Sequence, residues 1–137
     1  MARQDEEIDP LYDDEEDELT PEELSVFKER LLEERRQVLY RLNQRRAEMV
    51  DTDHSADELD QAGKISDQAF ILRLADKERK LLSQIDHALS KFDTGEFGLC
   101  EGTGEPIKRK RLELRPWTRY SIEYKEELEL RKKRGEV

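Results

Sequence analysis

Cysteine is almost absent from this chain. Cys100 is the single one in 137 residues, so no intramolecular disulfide framework can form. Long apolar runs are missing too. Nowhere do about 18 apolar residues follow one another, so no transmembrane helix is available and no membrane partner is expected. The opening stretch MARQDEEIDP lacks the apolar core of a secretory signal, which makes the cytoplasm the expected location. Apolar residues amount to 34% and aromatics to 7%, against 44% charged. That is too little material for a broad globular core. It suits a helical hairpin, in which a narrow apolar seam is buried between charged faces.

The net charge of −10 is unevenly placed. Residues 1–24 hold twelve acids against Arg3 alone, leaving that segment at −11 and everything after it at +1. Residues 108–134 carry eleven Lys and Arg against five Glu. A block of like charge without apolar periodicity reads as a solvated arm, so residues 1–19 are expected to form a disordered acidic extension.

The first helix signal is LTPEEL. Thr20 is placed to cap, Pro21 fits the first helical position, and Glu23 completes a capping box. Leu24, Phe27, Leu31, Val38, Leu42 and Met49 then recur at helical spacing, with Arg35 and Arg45 in seam gaps where a long stem can pack. The pattern predicts a helix of roughly 30 residues, about 45 Å long. It breaks near VDTDHSADELD. A second seam follows, of Ile71, Leu74, Leu81, Ile85, Leu89 and Phe92, flanked by Ala75, Leu82 and Ala88. Gly95 in DTG is suited to a left-handed helix end. Two such helices joined by a polar tip form an antiparallel hairpin, which stands at residues 20–95 with its tip near 51–62. Beyond it, Gly98, Gly102, Gly104 and Pro106 imply a turn-rich lobe, and RYSIEYKEELELRKKR reads as a closing helix within residues 96–137. The fold class is mainly α: a long antiparallel coiled-coil hairpin, a small degenerate zinc-finger-like lobe and a C-terminal helix.

The stretch GEFGLCEGTGEPI has the look of a zinc knuckle. A four-ligand ribbon needs two Cys-x-x-Cys hooks converging on a tetrahedral ion. Here the first hook reads Cys100-Glu101-Gly102-Thr103, and eighteen residues after Thr103 the second reads Ser121-Ile122-Glu123-Tyr124. Thr103, Ser121 and Tyr124 are not ordinary zinc ligands, and His54 and His87 stand elsewhere in the chain. No zinc and no other metal is expected, and Cys100 reads as a small buried apolar residue.

The order of hairpin, GEFGLCEGTGEPI, RLELRPW and SIEYK resembles the DksA/TraR family of RNA polymerase regulators over roughly residues 20–134. The hexad Asp57-Glu58-Leu59-Asp60-Gln61-Ala62 is similar to that family's Asp-x-x-Asp-x-Ala tip motif. The resemblance implies a non-enzymatic transcription regulator whose hairpin enters the secondary channel of RNA polymerase. Asp57, Asp60 and Ala62 would then face the polymerase active site. It further implies guanosine tetraphosphate as an effector, with Arg115, Lys125 and Leu81 at matching positions and Gln84 where the family carries a lysine. Loss of that cation weakens a polyphosphate site. A monomer is expected, and no sequence-specific DNA binding is, because KRKR at 108–111 lacks interleaved aromatics. Two other readings stay open: a Gre-type transcript-cleavage factor whose tip acids hold a metal in the polymerase, and a generic coiled-coil adaptor.

Overall fold

A computed structural model describes residues 18–54 and 61–136. Its helices are α1 (Pro21–His54), α2 (Gln61–Thr94), α3 (Arg109–Leu114) and α4 (Ile122–Lys133). The described residues contain no β-strand, only an isolated antiparallel bridge between Leu99 and Pro106. The mainly α hairpin with an attached turn-rich lobe is therefore the architecture the two seams imply.

The start of α1 obeys its local signal. The Glu23 N–H donates to Thr20 Oγ1 at 3.1 Å, and the Thr20 N–H donates to the Glu23 carboxylate at 2.9 Å. Two of the N–H groups that a helix start leaves unmatched are thus satisfied reciprocally. At its C-terminal end α2 stops at Thr94, and Gly95 turns the chain at φ 75°, a conformation that costs a residue with Cβ about 1 kcal/mol or more.

The chain divides into two compact units. The first is the hairpin segment Leu32–His87. Val38, Ile71, Ala75 and Ile85 are buried in it, and the other seam residues, Leu42, Met49, Leu74, Leu81 and Leu82, are half-buried. Fully burying a Val or Ile side chain is worth about 1.5–3 kcal/mol, so the seam drives the pairing. Ion pairs record the register: Arg35 Nε meets Asp86 at 2.6 Å, Arg41 Nε meets Glu78 at 3.1 Å, and Lys64 Nζ meets Asp53 at 3.7 Å. As numbering rises along α1, the partner's falls along α2, which makes the pair antiparallel. The Arg35–Asp86 pair, solvated on both sides, adds only about 0–1 kcal/mol.

The second unit takes the chain up to Leu31 together with Ala88 onward. Its core combines a cluster of three aromatic rings with buried aliphatic side chains. Phe92 stacks on Phe97 with ring centroids 4.3 Å apart, and Phe27 lies against Phe97 at 5.7 Å. Leu31, Ile107 and Leu112 are fully buried around them. The turn from Gly98 to Ile107 is closed by backbone bonds from Cys100 N–H to Glu105 O and from Ile107 N–H to Gly98 O, at 2.8 and 2.7 Å. Arg109 reaches back to the start of α1, pairing with Glu23 and donating to the Glu18 carbonyl at 3.0 Å.

Sequence periodicity did not anticipate α3. Of its two apolar residues, Leu112 is buried, whereas Leu114 is 80% exposed. Residues two apart on a helix point to opposite sides, so one turn of helix separates them. The closing helix α4 forms where SIEYK begins, with Ser121 Oγ accepting from the Tyr124 N–H, and it carries no fully buried residue.

Candidate functional site

Three segments meet in the second unit. The first hook bends tightly, with the Gly104 N–H donating to the Cys100 carbonyl at 2.8 Å. The second segment runs from Arg115 to Ser121 and delivers the N-terminus of α4. A backbone bond from Glu101 N–H to the Arg119 carbonyl, 2.9 Å long, sews the two together. The end of α2 is the third segment, and it contributes Lys91.

Cys100 sits at 2% exposure among these loops. Burial pushes its thiol up. The N–H of Ser121, the Thr103 hydroxyl and the N–H groups of Thr103 and Gly102 outweigh that and bring it down to about 7. The sulfur is therefore more than the small apolar filler the sequence suggests. Backbone donors from both hooks converge on it and favour the thiolate. Thr103 Oγ1 accepts from the Glu105 N–H at 3.2 Å, and Ser121 Oγ accepts from the Tyr124 N–H at the same distance. The Tyr124 ring lies so close to Gly102 that a Cβ there would stand 2.2 Å from it, and Tyr120 flanks the ring with centroids 5.3 Å apart.

Lys91 and Glu101 escaped the sequence reading. Lys91 is the buried charged residue among those described, at 8% exposure, and its Nζ meets Glu101 at 2.6 Å. Arg119 donates through Nε and Nη2 to the same carboxylate, and this bonding raises the Arg119 guanidinium above its ordinary value. Glu101 stands inside the hook, but a lone acid in a glycine-rich turn carries no periodic signal. Arg111, lowered by burial and by the neighbouring Arg115, donates to the Tyr120 carbonyl at 2.8 Å.

The residues matched to a polyphosphate site are distributed as follows. Arg115 is exposed at the end of α3, and Lys125 is exposed in α4. Leu81 is half-buried on α2 within the hairpin unit, and Gln84 is exposed on the same helix. Asp57 and Asp60 lie outside the described residues, whereas Ala62 is exposed in the first turn of α2.

Residues 23–92 match the family model for the DnaK suppressor protein DksA, N-terminal domain, and residues 95–129 match that for the prokaryotic dksA/traR C4-type zinc finger. The chain belongs to the DksA/TraR family. Among curated family members, the RNA polymerase-binding transcription factor DksA of Caulobacter vibrioides is 38% identical over 127 residues, covering 93% of this chain and 85% of its own. The solved transcription factor DksA2 from Pseudomonas aeruginosa is similar at 35% identity and a TM-score of 0.74, over 91% of this chain and 92% of that one. The RNA polymerase binding protein and transcriptional regulator Dks from Chlamydia trachomatis shares 28% identity with a TM-score of 0.51, over 82% and 93% of the two chains.

The family finger is a four-cysteine zinc site, and the residues present here do not fit one. Of the four hook positions, Cys100 alone is a thiol. The Thr103 and Ser121 hydroxyls are engaged by backbone N–H groups, and the Tyr124 ring packs on Gly102. Among the described residues, no group of three or more His, Cys, Asp or Glu is placed to hold a metal. Nor is any helix among them long and apolar enough to cross a membrane.

Proposed function

We propose that this protein binds RNA polymerase directly and modulates transcription initiation from the enzyme's secondary channel. It would act in the cytoplasm as a zinc-free, non-enzymatic regulator. The observation that carries this reading is the 38% identity to an RNA polymerase-binding transcription factor over 93% of the chain. The antiparallel pairing of α1 with α2 supports it, as do the acidic residues in the sequence that joins them. In this reading the hairpin and lobe supply affinity, while Asp57, Asp60 and Ala62 act at the polymerase active site. Asp57 and Asp60 are three apart, so on a helical turn both carboxylates address one partner. Arg115 and Lys125 are two exposed cations suited to a polyphosphate such as guanosine tetraphosphate, with Leu81 as the apolar residue the family resemblance adds.

The test pairs two assays on the same variants. Changing Asp57 and Asp60 together to Asn should abolish promoter-specific effects in a purified transcription assay while leaving core-polymerase binding within about threefold, because in this reading the hairpin and lobe supply the affinity. Loss of binding in parallel with activity would remove the tip from this role. Transcript shortening in stalled complexes would instead assign the protein to the cleavage factors.

A further inference from the structure

Zinc in a four-cysteine finger ties two hooks together because anionic thiolates from both converge on one dication. The lobe of this chain has the opposite arrangement of charges. An anion, the Glu101 carboxylate, is gripped by cations from two other segments. Its Oε1 takes Nε and Nη2 of Arg119 at 3.1 and 2.9 Å, and its Oε2 takes Lys91 Nζ at 2.6 Å. The Glu101 N–H adds the bond to the Arg119 carbonyl. One residue of the first hook is thereby fastened to the end of α2 and to the segment leading into the second hook.

The two arms of this arrangement differ in strength. The Arg119 side chain is nearly half exposed, and a solvated pair contributes little. The side chains of Lys91 and Glu101 are 10% and 24% exposed, so removing the Glu101 charge strands Lys91 in a poorly solvated place. The Lys91 stem meanwhile stays packed whatever the state of its head group.

We propose that the Glu101 carboxylate, held by Lys91 and Arg119, is the metal-free clasp that closes the lobe. It performs by ion pairing the cross-linking that a zinc ion performs in a four-cysteine finger. Cys100, buried and single in the chain, reports directly on whether the clasp is shut.

The experiment measures the rate at which Cys100 in the full-length protein reacts with a thiol reagent at fixed pH, alongside far-ultraviolet circular dichroism for the helices. Glu101→Gln keeps the shape of the side chain and removes its charge. It should raise the labelling rate by about tenfold or more, because the stranded Lys91 favours the open lobe. Adding Lys91→Met to Glu101→Gln should bring the rate back to within about threefold of the parent, since an apolar stem of similar size leaves nothing stranded. Labelling of Glu101→Gln at the parent rate overturns the proposal. So does a double variant that labels at least as fast as Glu101→Gln. Should Glu101→Gln alone fail to fold, a folded and protected double variant upholds the clasp, and a double variant that is also unfolded overturns it.

Discussion

Placing a methyl group on Gly102 should break the packing that takes the place of a ligand in the second hook. Gly102→Ala would set its Cβ 2.2 Å from Cε2 and Cζ of Tyr124 and 2.5 Å from Cδ2. Carbon atoms rest at about 3.5–4.0 Å, so the ring would have to withdraw by about 1.3 Å or more. Tyr120 blocks one side of that retreat, and the Ser121 cap fixes where α4 begins. The helix itself is the softer element, because none of its residues is fully buried. We expect Gly102→Ala to cost about 1–3 kcal/mol, the usual range for overpacking, read as a fall in Tm of about 4 °C per kcal/mol. Amide exchange in α4 should rise further than the global loss explains, because lifting the helix releases the clash. The backbone of Gly102 is not in the left-handed region, so the clash alone sets the sign. In a Tyr124→Ala background the same Gly102→Ala change should become neutral or stabilising by about 0.4–1 kcal/mol, through reduced freedom of the unfolded chain. Thermal melts of the four proteins decide the matter. An equal cost in both backgrounds would refute the packing argument.

Three further outcomes follow from the same geometry. With its thiol near 7 in the fold and about 8.5 when unfolded, Cys100 should stabilise the protein by about 2 kcal/mol above about pH 8.5, a contribution lost as pH falls through 7; the stability gap between parent and Cys100→Ser, followed from pH 6 to 9 by denaturant titration, should widen accordingly, and a constant gap would count against the thiolate. Purified protein should hold no stoichiometric zinc by elemental analysis, and a chelator should leave its Tm unchanged, whereas one zinc per chain would show that the hooks bind metal after all. Leu31→Ala, at a fully buried position, should cost about 2–5 kcal/mol in chemical denaturation, and a loss under 1 kcal/mol would mean the base of the lobe repacks freely.

The helical hairpin was legible in the chain alone because its causes are local. Thr20 and Glu23 cap each other across a single turn, seam residues repeat every three to four positions, and Gly95 ends α2 with a backbone conformation few other residues accept. The loss of three of four cysteines was equally plain, since ligand identity is written residue by residue. What replaces a metal was not. Whether Leu112 or Leu114 turns inward depended on a six-residue helix too short to leave a periodic trace. That Tyr124 would rest on Gly102, that backbone N–H groups from both hooks would reach Cys100, and that Glu101 would gather Lys91 and Arg119 all required loops distant in sequence to be brought together. Propensity and spacing act within a few residues. Packing and charge pairing act across whatever the fold makes adjacent, and those two forces decided how this lobe closes.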